Sequence, residues 1–176
     1  MNLWHDISPG EKIPEEINVI IEIPRGSNNK YEIDKDTGLI ALDRVLYGAQ
    51  TFPFDYGFVP QTHWHDGDAL DVMVLTTNSL PVGVVVRARP VGIMHMIDTG
   101  EKDDKILAVP TKDPRWSGAK DLTDINPHTL KEIEHFYSTY KILEKKDVNV
   151  TGFEDRAAAH AAIKEGIELY KQKFGK

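Results

Sequence analysis

An α+β chain, with a β-rich body and a helix–strand–helix ending, is what this sequence predicts, and two patterns carry the prediction. From Asn18 to Pro110, short apolar runs rich in β-branched residues recur between turn signals, the spacing of an antiparallel barrel or sandwich. From Pro127 onward the apolar residues fall instead at helical spacing, beginning with Leu130, Ile133, Tyr137 and Tyr140.

Taken in order, the predicted strands are Asn18 to Ile23, Lys30 to Asp34, Leu39 to Leu46, Leu70 to Leu75, Gly83 to Arg89, Val91 to Ile97 and Lys105 to Val109. Turns are expected over Pro24 to Asn29, at Asp36-Thr37-Gly38 and at Asp98-Thr99-Gly100, where Pro, Asp, Asn and Gly supply the necessary backbone angles. Asn126 before Pro127 makes a good N-cap and first helical position, so a helix is expected from about Pro127 to Glu144. A short strand at Val148 to Phe153 then leads into a second helix. That helix carries Ile163, Ile167, Tyr170 and Phe174 on one face and stops at Gly175. No repeat, low-complexity segment or linker interrupts residues 1–176, so one domain is expected.

Composition narrows the function classes. Cysteine is absent, which excludes disulfide frameworks, thiolate zinc sites and cysteine nucleophiles and suits a reducing compartment. The start Met1 to Asp6 lacks the basic and apolar regions of a signal peptide, and no apolar run is long enough to span a bilayer. A cytoplasmic protein without membrane association is therefore expected. With 28 acidic against 21 basic side chains the net charge is −7, which disfavours a broad basic nucleic-acid surface.

Chemistry is concentrated in Asp66-Gly67-Asp68-Ala69-Leu70-Asp71. Carboxylates held a few ångströms apart raise one another's pKa or recruit hard divalent cations such as Mg2+, Mn2+ or Ca2+. The segment lacks the central glycine and closing glutamate of an EF-hand. A second acidic group, Asp98 and Asp103 followed by Lys105, straddles the turn Thr99 to Lys102. Alone it reads as a solvated turn; beside the first group it supplies the second arm of a multi-metal site.

Period-two alternation places Lys30, Glu32 and Asp34 on one strand face, and Glu22 is a carboxylate inside the apolar run Ile20 to Ile23. Ordinary half-exposed strand charges account equally well for these residues taken singly. Arg44 and Lys141 suit phosphate oxygens, as does Lys30. Tyr56 and Tyr140 are core-packing residues by their neighbours, with hydroxyls able to reach an anion. His63 and His65, flanking Trp64, have the i, i+2 spacing of two nitrogen ligands, although histidines in such segments are more often solvated. Residues 111–120 and 145–147 read as solvated surface.

Together, Glu22, Lys30, Glu32, Arg44, Tyr56, the Asp66 to Asp71 motif, Asp98, Asp103, Lys105 and Tyr140-Lys141 resemble the family I soluble inorganic pyrophosphatases of short prokaryotic type, nearly end to end. Lys30 to Asp34 and Ala88 to Gly92 read like that family as well. Ala69 stands where its members usually carry proline or glutamate, and Thr99 where some carry glutamate.

The resemblance implies a five-stranded OB-like barrel with two packed C-terminal helices, a homohexamer, and Mg2+-dependent hydrolysis of pyrophosphate to two orthophosphates. It implies metal ligands at Asp66, Asp71 and Asp103, with Glu22, Glu32 and Asp98 holding further ions. Asp68 is then the general base, and Lys30, Arg44, Tyr56, Lys105, Tyr140 and Lys141 bind substrate. A noncatalytic metal- or phosphate-binding OB module is the alternative from another class.

Overall fold

The apolar runs become strands, the central ones buried on both faces, seen in a computed structural model that describes residues 1–175. In chain order the strands are β1 (Ile17–Ile23), β2 (Asn29–Ile33), β3 (Ile40–Val45), β4 (Asp55–Phe58), β5 (Asp71–Val74), β6 (Val85–Asp98), β7 (Glu101–Lys102) and β8 (Lys105–Pro110), of which β2, β3 and β7 are partly or wholly exposed. Helix α1 (Pro127–Thr139), strand β9 (Val148–Glu154) and helix α2 (Arg156–Phe174) follow.

Strand β1 pairs with β4, β4 with β5, β5 with β8, β8 with β6, and β6 returns to β1. Five strands thus close a ring, the OB-like arrangement expected, and closure satisfies the edges that an open sheet would expose. One pairing departs from the antiparallel expectation. β5 and β8 run parallel, because the chain between them leaves the ring's local order to build β6 and β7. β9 extends the sheet beside β6, while β2 and β3 form a separate two-stranded hairpin.

Side-chain alternation divides each central strand between two cores. Met73, Leu75, Leu107 and Val109 join Ile133, Phe136 and Tyr137 of α1. Val72, Val74, Ile106 and Ala108 join Ala159, Ala162 and Ile163 of α2. Both helices have the caps their sequences promise. Asn126 Oδ1 accepts from the His128 amide, Asp155 from the Ala158 amide, and Gly175 closes α2 at φ 67°.

Several boundaries differ from expectation. The strands predicted at Gly83 to Arg89 and Val91 to Ile97 are one continuous β6. Pro90 marks no break; the ladder absorbs it by a register shift between Pro90 and Gly92. Strand β4, just after Phe52-Pro53-Phe54, is absent from the expected strands. Gly57 lets it approach β1, since a Cβ there would lie 1.8 Å from the Ile20 carbonyl oxygen.

Helix α1 stops at Thr139 rather than Glu144. Residues Ile142–Glu144 form a short 3-10 helix, whose Ile142 and Leu143 are exposed and so add no core burial that would extend α1. Nor is the 111–120 segment merely solvated. Trp116 and Ala119 pack on the core while the Arg89 guanidinium donates to their carbonyls.

Candidate metal and phosphate site

The face of β5 and β8 that sends Met73 and Leu107 toward α1 carries Asp71 and Lys105 at its end, and register places these two side by side. Around them opens a pocket of about 340 Å³ lined by all 13 residues named above as metal-binding, substrate-binding or catalytic.

Local structure explains how the carboxylates meet. Gly67, at φ 93°, turns the chain back so that its amide reaches the Trp64 carbonyl, and the Asp68 amide donates to Asp66 Oδ1 at 3.0 Å. The following strand delivers Asp71. On the other side Thr99 and Gly100 form the tight β6–β7 turn with positive φ, and the Asp103 amide is held by the Met96 carbonyl at 2.9 Å. Asp66, Asp71 and Asp103 each present a carboxylate oxygen, all within 4.8 Å of one another. Asp98 forms an ion pair with Lys141.

Lys105 is the hub of this group. Its ammonium, 2% exposed, donates to Asp71 at 2.9 Å, to Asp103 at 2.8 Å and to the Tyr56 hydroxyl at 2.9 Å. The Tyr56 hydroxyl in turn donates to Asp71. Burial works against the Lys105 charge, but Asp103 and Asp71 outweigh it and push its pKa well above the ordinary lysine value.

One ammonium cannot balance so many carboxylates. Burial, reinforced by Asp71, raises Asp66 to about 7, and burial with the same neighbour raises Glu22 to about 8 even though Glu22 accepts the Ile33 amide at 2.7 Å. Asp71 itself is raised, by burial first and by Asp103, against the pull of Lys105. Protons thus stand in for missing positive charge. The Asp66, Asp71 and Asp103 trio offers oxygen donors alone, so it fits a hard divalent cation rather than a thiophilic one.

The same pocket is lined by cationic and hydroxyl donors from three elements. Lys30 and Arg44 face each other in register across the β2–β3 hairpin, and Tyr140 and Lys141 follow the end of α1. Lys30 pairs with Glu32 and reaches Asp43 at 3.5 Å; burial lowers its pKa. Arg44 donates through Nε to Glu144 at 3.1 Å and through Nη1 to Asp43. Its Nη2 is buried with no hydrogen-bond partner among the described residues. Burial also raises the Tyr140 hydroxyl, keeping it a donor.

Three lining or supporting residues escaped the sequence. Lys35 forms an ion pair with Asp68, and Glu101 lines the pocket from β7. Lys35 between two aspartates, and Glu101 in the turn after Asp98, look like ordinary turn charges. Glu144 supports Arg44 from outside the lining. The two histidines do not reach the pocket. His63 Nε2 lies 3.2 Å from Lys173 Nζ, and His65 Nε2 lies 2.9 Å from Glu165, each turned toward α2.

Comparison with known proteins agrees with this geometry. The family model described as "Inorganic pyrophosphatase" matches residues 19–171. The chain is 45% identical over 172 residues to the inorganic pyrophosphatase of Picrophilus torridus, covering 98% of this chain and 97% of that protein. It is 47% identical over 175 residues to that of Haloferax volcanii, covering 99% of each. Among solved structures, the inorganic pyrophosphatase of Thermus thermophilus superposes with a TM-score of 0.93 at 46% identity, over 97% of this chain and 99% of that one.

Proposed function

The chain belongs to the inorganic pyrophosphatase family, a family of hydrolases, and from that premise we propose that it hydrolyses pyrophosphate to two orthophosphates with Mg2+ as cofactor. The observation that supports this best is one pocket whose lining combines three convergent carboxylates with lysine, arginine and tyrosine donors. Such a pocket pairs an acceptor set for cations with a donor set for phosphoryl oxygens.

Asp66, Asp71 and Asp103 hold one cation and Asp71 shares a second; Glu22, Glu32 and Asp98 hold those that arrive with substrate. Bound there, Mg2+ neutralises phosphoryl charge and lowers the pKa of the attacking water. Mn2+ and other divalent cations of similar hardness are alternative occupants.

Asp68 is the general base. Its side chain is half exposed at the pocket wall, where it takes the proton of the attacking water as that oxygen bonds to one phosphorus and the bridging P–O bond breaks. Lys30, Arg44, Tyr56, Lys105, Tyr140 and Lys141 hold the two phosphoryl groups in line. The chain's work is therefore mostly positioning and charge neutralisation. Lys35 forms an ion pair with the Asp68 carboxylate.

The test is colorimetric. Incubation with pyrophosphate and Mg2+ yields two orthophosphates per pyrophosphate consumed, and no release under any divalent cation would leave only a binding module. We further propose a cytoplasmic location, supported by the cysteine-free composition, and a homohexamer, supported by likeness to the short prokaryotic members. None of the described helices is long and apolar enough to cross a membrane. Fractionation and light scattering check location and assembly.

A further inference from the structure

The geometry points to Glu144 as a positioning residue that sets the orientation of Arg44 for its phosphoryl group, an inference that rests on the proposed hydrolysis of pyrophosphate. The β2–β3 hairpin pairs with itself and not with the ring, so Arg44 approaches the pocket from an element outside the ring's backbone ladder, anchored to it by Ile33 and Ile40 packing on Ile20 and Phe58. Tyr140 and Lys141 come from a different element, the end of α1. Something must fix the two halves of the clamp relative to each other.

Glu144 meets that need. It closes the 3-10 helix that begins directly after Lys141, and its side chain is 5% exposed while Ile142 and Leu143 are exposed residues. In that turn the charged residue, not either apolar one, is turned inward. Burying a carboxylate is costly unless it is paired. Its partner is Arg44 Nε, at 3.1 Å. Lys146 stands 3.7 Å from the other oxygen, but it is half exposed and too far for a hydrogen bond.

The consequence lies in what the guanidinium has left. Nε is taken by Glu144 and Nη1 by Asp43, which fixes the plane of the fork. Nη2 is buried and has no acceptor among the described residues. Arg44 lines the pocket, so an anion bound there meets a guanidinium whose donor plane is already set. Glu144 does not itself line the pocket, so it acts through Arg44.

A separate tether distinguishes orientation from docking. Gln50 Nε2 donates to Thr139 Oγ1 at 2.6 Å, joining the segment after β3 to the end of α1 without Glu144. The E144A and E144Q proteins should therefore fold and keep their Mg2+ affinity, measured by calorimetry without phosphate.

E144A, which removes the acceptor, should raise both the KM for pyrophosphate and the dissociation constant for orthophosphate about tenfold, with kcat changed by less than about threefold, the scale of one lost charge-assisted hydrogen bond. In an R44K background the same substitution should add less than about twofold, because the partner it orients is gone. E144Q, whose amide oxygen still accepts from Nε, should change both constants in the same direction by a smaller factor.

An unchanged KM and phosphate affinity in E144A would overturn the inference. So would an equal effect in both backgrounds, a matching loss of Mg2+ affinity, or failure of E144Q to fold. The wild-type protein in the same assay tests hydrolysis itself, so an inactive wild type speaks against the function and an active one with an indifferent E144A against the role of Glu144.

Discussion

The Lys105 ammonium and the Asp71 carboxylate, adjacent in the parallel β5–β8 register, lie 2.9 Å apart. Lys105 is 2% exposed, and Asp71, Asp103 and Tyr56 all depend on it. Removing one partner of a buried ion pair leaves uncompensated charge, at a cost of about 3–5 kcal/mol. K105M should lose that much stability in chelator, measured by urea unfolding, and recover part of it when Mg2+ is added. Equal losses with and without Mg2+ would mean that the lysine acts through packing alone.

Glu22 makes stability fall with pH in the metal-free protein. Its carboxyl is raised from 4.5 to about 8 by burial, so the folded state holds a proton that the unfolded chain releases. The associated stability is fully present below about pH 4 and is lost as pH rises through 8; Asp66, raised to about 7, acts in the same direction. Asp98 and Asp34 are lowered below 3.8 and act oppositely, in acid, outside this window. In chelator, the stability of E22Q relative to wild type should therefore increase between pH 5 and pH 8.5. A constant difference across that range would show that Glu22 does not titrate there.

The proposed base role of Asp68 can be separated from metal binding. D68N should lower kcat by about 10²–10⁴-fold while Mg2+ binding by calorimetry stays largely intact. An unchanged turnover number would remove Asp68 from the base role.

Gly57 is the steric condition for β4 to lie against β1. A methyl group at that position meets the Ile20 carbonyl oxygen at 1.8 Å, so the two strands must separate. G57A should destabilise the fold by about 3 kcal/mol, lowering the thermal midpoint by about 6–12 °C for a chain of this size. A midpoint within a degree of wild type would contradict the close packing of β4.

Much of the site was legible because charge in the wrong place is conspicuous. Three carboxylates between Asp66 and Asp71 demand a cation, and Glu22 interrupts an apolar strand. What stayed hidden depends on ring closure. The parallel β5–β8 pairing that joins Asp71 to Lys105 links segments more than thirty residues apart, and no local pattern records it. The centrality of Lys105 was hidden with it, since beside Asp103 it looks like a turn charge. Pro90 and the Phe52-Pro53-Phe54 run concealed β6 and β4, because proline reads as punctuation while a bulge and a strand entry tolerate it. Glu144 was absorbed into an overlong helix, where a charged residue draws no notice.

Phosphate release followed on a single sample, as Mg2+ is titrated in and then removed with excess chelator, tests most directly whether this acidic pocket hydrolyses pyrophosphate through the cations it binds. Release should begin with Mg2+, saturate, and fall to the uncatalysed rate when the chelator is added. Release that persists in excess chelator, or none at any Mg2+ concentration, would contradict it.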